Sequence, residues 1–365
     1  MIIKSFPPLI LLLCLIHIVF FDPSFFDLAF IFFIIFNFNQ IASFFLEHAK
    51  KYSYFFLILF PVLWSISYSL SLKSSLIDVY VILIGIIFSW CAYTQKDQVR
   101  KGIDHGGNVV ILAILSSVAA LLIWPQSLLT IQGGNRINGF YKDPNVFAPV
   151  IASYYIWYLL NNKKNQQKLS ALGLLLAASR SIFPGLLIVI CYLLYKKMIK
   201  FYDVITSFIF GIISFSIILL LKNASSFFFS LTERVNLVKS YDSLRFKTWY
   251  WGYNKFILSS SISKLFGSGK NIFEVQNQHS AHQTYLKVLI EYGVVGLVLY
   301  GTFFVFLLTR KTTVDTRNDL FYIWSKSSIL IMMISGLFID INHWRFFWCL
   351  VGFSFSYIFF SKAKE

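Results

Sequence analysis

Along most of this chain apolar residues run in unbroken stretches instead of alternating with polar ones. Residues 204–221, for example, contain no charged side chain. Continuous apolar runs of roughly 17–25 residues have the length of helices that cross a bilayer. A transmembrane β-barrel needs strictly alternating strands of about ten residues, so runs of this kind exclude it. The pattern predicts spans at residues 7–21, 25–46, 54–72, 77–93, 108–124, 146–160, 169–178, 182–195, 204–221, 285–308, 322–339 and 346–360, about twelve helices. The arms flanking Ser179-Arg180-Ser181 are short. They read as two helices, or as one broken or re-entrant helix lining a polar cavity.

Composition agrees: 57% of residues are hydrophobic and 13% charged, against about a quarter charged in soluble domains. The expected fold class is an all-α polytopic membrane protein. A large loop follows the ninth helix, giving transmembrane helices over 1–221, a loop with short helices over 222–284, and further spans over 285–365. Residues 1–21 read as a first span, because no small-residue cleavage site follows the apolar run. Cys14, Cys91, Cys191 and Cys349 lie in apolar segments without ligand spacing and read as small core residues.

The formal net charge of +16 does not point to nucleic acid. Lys50 and Lys51, Lys96, Arg100 and Lys101, Lys163, Lys164 and Lys168, Lys196, Lys197 and Lys200, and Arg310, Lys311 and Arg317 fall on alternate loops, with Lys362 and Lys364 on the same side. The positive-inside rule makes that side cytoplasmic and puts both termini there. The opposite face receives residues 125–145, the Ser179–Ser181 turn, the loop 222–282 and residues 340–345. Loop 222–282 holds eight Lys or Arg against three acids, net +5. A basic outward surface fits an anionic ligand.

Four constellations carry candidate chemistry. Arg180 sits where charge at headgroup depth must reach solvent or an anion; it is a snorkelling residue or a phosphate clamp, since a guanidinium fork binds phosphate oxygens in pairs. Arg245 lies one helical turn from Trp249, in a segment whose Trp249, Tyr250, Trp251 and Tyr253 suit a membrane interface or a sugar face. His282, with His279 close by, opens a long apolar helix; a neutral imidazole there can accept a proton, or simply cap the helix. Arg136 and Lys142 flank the Gly139 and Asp143-Pro144-Asn145 turn. The chain has no phosphate-binding Gly-rich Lys-Ser/Thr loop, no His-Glu-x-x-His site and no Asp-x-Asp pair for Mg or Mn. No metal and no cofactor are therefore expected.

In order, these segments resemble the O-antigen ligase/polymerase superfamily, the WaaL-type ligases and Wzy-type polymerases. Arg136–Asn145 is similar to the family's Arg-x-x-Gly…Pro-Asn loop, and Ser179-Arg180-Ser181 to its Ser-Arg turn. Arg245 with Trp249 is similar to the Arg…Trp helix of the periplasmic loop. Gly267-Ser-Gly269 and then His282 to Gly296 resemble the Gly-x-Gly…His-x-x-Tyr-Leu…Glu-x-Gly-x-x-Gly ending. Gln283 stands where the family more commonly has Asn; register gives the histidine role to His282, with His279 as the alternative.

The resemblance implies glycosyl transfer on the periplasmic face of the bacterial inner membrane, from a glycan carried on undecaprenyl pyrophosphate, without metal or nucleotide. Arg180, Arg245 and His282 would be the catalytic residues; Arg136, Lys142, Trp249, His279 and Tyr285 would contact substrate. The acceptor would be a second lipid-linked repeat unit for a polymerase, or lipid A-core for a ligase. The Arg136–Asn145 loop and the Phe-rich character favour the polymerase. The bilayer and a chain-length regulator protein are further expected partners. A flippase or exporter of lipid-linked oligosaccharide is the alternative of a different class; it fits less well because such transporters carry repeat symmetry and polar residues within several spans.

Overall fold

The computed structural model describes residues 7–20, 23–123, 128–131, 136–221, 240–277, 283–310 and 319–360. The protein is almost wholly helical, with several apolar helices, the architecture of a helical membrane protein. Five stretches among the described residues are long and apolar enough to cross a bilayer: Phe25–Ile66, Leu72–Thr94, Lys96–Ile123, Phe201–Ile218 and Thr284–Thr309. Phe36, Leu46 and Ile123 are more than four-fifths exposed. In water such side chains would be a liability, and in lipid tails they are solvated.

The chain forms two compact units. The first comprises Met1–Phe38, Thr94–Val235 and Arg317–Met332. It holds α1 (Pro7–Leu15), α5 (Lys96–Ile123), the hairpin β1 (Thr130–Ile131) and β2 (Arg136–Ile137), α6 (Pro144–Leu160), α7 (Lys164–Ala177), α8 (Phe183–Tyr195) and α9 (Phe201–Leu221), with most of α14 (Leu320–Ser335). Helix α6 is buried on every side, so its apolar surface packs on protein and not on lipid. Its Tyr154, together with Tyr141, grips the imidazole of buried His17 at 2.8 and 2.7 Å. About one turn further along α6, Asp104 accepts from the Trp157 indole at 2.8 Å and pairs with Lys163 at 2.5 Å.

The second unit comprises Asn39–Tyr93, Asn236–Thr316 and Met333–Glu365. It holds the end of α2 (Phe25–Tyr52), α3 (Phe56–Ile66), α4 (Leu72–Thr94), α10 (Ser240–Leu258), α11 (Ser261–Phe266), α12 (Ile272–Asn277), α13 (Thr284–Thr309) and α15 (Arg345–Phe359). Helices α4 and α15 meet at glycines: a Cβ on Gly352 would fall 2.2 Å from the Gly85 carbonyl oxygen. Close backbone approach through small residues is how membrane helices gain packing without a hydrophobic driving force. Short helices α11 and α12, with α10, pack on α13 around Phe273 and Ile290.

Several expected boundaries shift. Helix α5 begins at Lys96, well before residue 108, and α2 passes residue 46 to a kink at His48, with a last helical turn ending at Tyr52. Hydropathy detects the apolar slab, whereas a helix runs on through polar residues until its backbone is interrupted. At residues 179–181 the structure has a break between two helices: Ala178 is left-handed and a short 3-10 turn, Arg180–Ile182, precedes α8. Of the cysteines, Cys91 and Cys349 are buried, whereas Cys191 is exposed on α8.

Candidate functional site

In the first unit the Asp143-Pro144-Asn145 sequence is a helix start. Asp143 is extended and its carboxylate accepts from the Asn145 amide at 2.8 Å, with Pro144 at the first helical position. Both residues suit their places, since the cap satisfies an orphan N–H and proline has none to lose. Gly139 turns with φ +59°, and a Cβ there would strike the Phe147 ring at 2.5 Å. The turn thereby brings Arg136 back against the end of α7.

Arg136 is 7% exposed. Its Nε donates to the Ala177 carbonyl at 2.9 Å and its Nη2 to Asn145 Oδ1 at 3.0 Å. A cation on the last carbonyls of a helix satisfies orphan acceptors and opposes the helix dipole. Ser179 Oγ donates to the same Asn145 oxygen at 3.2 Å. The Arg136 loop and the Ser179-Arg180-Ser181 turn, far apart in sequence, are thus one hydrogen-bonded knot. From it Arg180 projects as an exposed residue, while Ser179 and Ser181 are buried. Arg136, expected at the substrate, serves as the frame of this turn. Lys142 is exposed on the same loop.

The second unit contains a matching clasp. Gly293 interrupts α13 with φ +72° and ψ −173°. The break frees the carbonyls of Ile290 and Glu291, which accept from Ser268 N at 2.9 Å and Gly269 N at 3.2 Å. Gly267, at φ +89°, lies so close that a Cβ would be 2.1 Å from the Glu291 carbonyl oxygen; one on Gly293 would be 2.3 Å from that of Leu265. Only glycine fits either site. Gly267-Ser-Gly269 and Glu291-Tyr-Gly293 are therefore two halves of a single contact.

No known protein-family model and no curated protein matches this chain.

The clasp encloses charges that the apolar reading of the spans passed over. Lys270 Nζ lies 2.7 Å from Asp78 and 3.0 Å from Glu291, and all three side chains are under a tenth exposed. Tyr292 donates its hydroxyl proton to Asp78, and the Asn271 amide donates to Glu291 at 3.2 Å. A second group sits beside it: Lys287 bridges Glu274 at 2.8 Å and Asp340 at 3.0 Å. Burial favours a neutral Lys270, but Glu291, Asp78 and Asp340 outweigh it and hold its pKa above the ordinary lysine value. Burial likewise favours a neutral Asp340, and is overcome by Lys287 and His343, which hold its carboxyl well below the usual carboxylate range. Asp78 in span 77–93 and Glu291 in span 285–308 were the sequence signals that could have revealed the group, because intramembrane carboxylates seldom stand without a partner.

The remaining expected residues belong to the second unit. Arg245 lies within α10, and its side chain falls outside the described residues, as do His279 and His282. Trp249 is half-buried, edge-on to Phe246 at 5.3 Å, and its indole nitrogen has no hydrogen-bond partner among the described residues. Tyr285 donates its hydroxyl to the Met333 carbonyl at 2.6 Å, an anchor for the first turn of α13.

Proposed function

We propose that this chain is a membrane glycosyltransferase that polymerises lipid-linked oligosaccharide repeat units. The observation that carries this reading is the pairing of its motifs. Arg136–Asn145 closes on the Ser-Arg turn, and Gly267-Ser-Gly269 closes on Glu291-x-Gly293. Short motifs that matched the family by chance would have no reason to interlock.

In this reading the chain crosses the bacterial inner membrane about twelve times with both termini cytoplasmic, as the distribution of loop Lys and Arg requires. The donor is a glycan on undecaprenyl pyrophosphate. Arg180 and Arg245 hold the pyrophosphate and neutralise charge growing on the leaving oxygen. His282 takes the proton from the acceptor hydroxyl. That oxygen bonds to the anomeric carbon as the bond to pyrophosphate breaks on the opposite face, and the configuration inverts. Undecaprenyl pyrophosphate departs with the bonding electrons, so neither nucleotide nor metal is required.

The deciding experiment is the glycan profile of a deletion strain, complemented with wild type, Arg180→Ala, Arg245→Ala or His282→Ala. A single repeat unit left on the core identifies the polymerase. Bare core with polymer accumulating on undecaprenyl pyrophosphate identifies a ligase instead. Unchanged glycans would sink both, and rescue by all three variants would remove the site assignment.

A flippase draws some support from Asp78, Glu291 and Lys287, since ionisable residues within spans mark transport paths. Asp78 and Glu291 are held by Lys270, however, and Lys287 by Glu274 and Asp340. Reconstitution with a lipid-linked donor separates the two: a transporter relocates the glycan, whereas an enzyme makes a new glycosidic bond.

A further inference from the structure

Beside the clasp, within the second unit, lies a cleft of about 350 Å³, near the lower end of the roughly 300–1,000 Å³ typical of small-molecule sites. Its lining residues are of two kinds, the aromatic Trp64, Tyr68 and Phe266 and the polar Lys255, Ser263 and Ser268. The Trp64 ring is 5.3 Å from that of Phe266 and 6.3 Å from that of Tyr68, tilted by 43° in both cases. Trp64 and Tyr68 are 40% and 52% exposed. The floor is rigid, because Gly267 and Ser268 are part of the clasp on α13.

We propose that this cleft binds a sugar ring of the glycan substrate, stacked on Trp64 and Tyr68 and hydrogen-bonded by Lys255, Ser263 and Ser268. The choice of a sugar over other small amphipathic ligands rests on the glycosyl-transfer reading. A pyranose is itself two-sided: axial C–H groups give it an apolar face that an aromatic ring covers, and its rim is a dense set of hydroxyls. An acyl chain could cover the rings, but it would strand an ammonium and several hydroxyls without partners. Among the described residues Lys255, the Tyr68 hydroxyl and the Ser268 hydroxyl have no hydrogen-bond partner. Ser260 Oγ donates to Ser263 Oγ at 3.0 Å, which leaves the Ser263 proton for a ligand oxygen. The rigid floor means little ordering is needed when a ring enters.

The test is saturation-transfer NMR on the full chain in lipid nanodiscs, with methyl glycosides of glucose, galactose, N-acetylglucosamine and glucuronic acid as probes. The expected result is transfer to ring C–H protons of at least one glycoside. Affinity should fall roughly tenfold in Trp64→Ala and in Tyr68→Ala, and by less in Ser263→Ala. Both aromatic positions are exposed, and unchanged melting of the variants excludes misfolding as the cause; where Trp64→Ala melts early, Tyr68→Ala decides. Transfer no greater than in empty nanodiscs, or equal in wild type and both aromatic variants, overturns the proposal. So does quenching of the Trp64 fluorescence, measured against Trp64→Phe, by brominated phospholipid that added glycoside does not relieve, since lipid then fills the cleft. Binding is read here without any reaction. A deletion strain with unchanged glycans would sink glycosyl transfer and leave this result standing; absence of glycoside binding would do the reverse.

Discussion

Lys270 Nζ stands 2.7 Å from Asp78 Oδ2, fastening the segment between α11 and α12 to the first turns of α4. Glu291 completes the group from the α13 side at 3.0 Å. One cation thus faces two carboxylates in a place where water is largely excluded.

That imbalance sets an order of damage. Lys270→Met leaves two buried carboxylates facing each other and is expected to cost about 3–5 kcal/mol. Asp78→Asn leaves a one-to-one pair of Lys270 with Glu291, so its cost should be smaller. The triple variant Lys270→Met, Asp78→Asn, Glu291→Gln should recover much of the loss of the first. Thermal melting of detergent-solubilised protein ranks the three; equal melting of Lys270→Met and wild type would contradict the scheme.

Acid should act through Asp340. Its folded pKa lies below the unfolded value, which for Asp is about 3.9. A depressed carboxylate contributes stability that is present above the unfolded value and is lost as pH falls through the folded one. Melting temperature should therefore drop as pH is lowered below about 4. Asp340→Asn should begin less stable at neutral pH and show a shallower acid slope. An identical slope in the variant would place the acid sensitivity elsewhere.

The clasp can be tested by glycine replacement. Gly267→Ala and Gly293→Ala both force a Cβ into backbone at positive φ, a strain of about 1–3 kcal/mol before the clash is counted. Both should lower melting temperature and glycan output together. Gly301→Ala, in the same helix as Gly293 with nothing within 4 Å of its Cβ position, should leave both unchanged or slightly raise stability.

Two arginines of the first unit should separate by readout. Arg136→Ala removes the guanidinium that ties Ala177 to Asn145 and strands buried acceptors, at a cost of about 1–3 kcal/mol, so the melting temperature should fall. Arg180→Ala, at an exposed position, should melt like wild type and yet lose polymer. Arg180→Lys should restore little, because an ammonium cannot grip phosphate oxygens as a planar fork does. Normal polymer from a stable Arg180→Ala protein would remove Arg180 from the chemistry.

The apolar helical character of the chain was legible because membrane insertion depends on local composition. A run such as 204–221 is apolar whatever the rest of the chain does, and helix α9 covers Phe201–Leu221. The helix start at Asp143-Pro144-Asn145 was visible as a turn, since capping also is local. Arg136 was legible as a charged residue on the correct loop, but its role was not. Whether a guanidinium meets substrate or the last carbonyl of α7 depends on where Gly139 folds the chain back. Asp78 was visible as a lone acid, and Lys270 as one of eight loop cations.

The sequence by itself determined that this is a polytopic helical protein fit for a bilayer, because apolar runs and their flanking charges act over one helix at a time. Only the tertiary structure decided that Gly267-Ser-Gly269 and Glu291-x-Gly293 are one contact, and that Asp78, Lys270 and Glu291 are one buried group. Such pairings join residues far apart along the chain. They form where a broken helix leaves carbonyls free and glycine lets another backbone reach them.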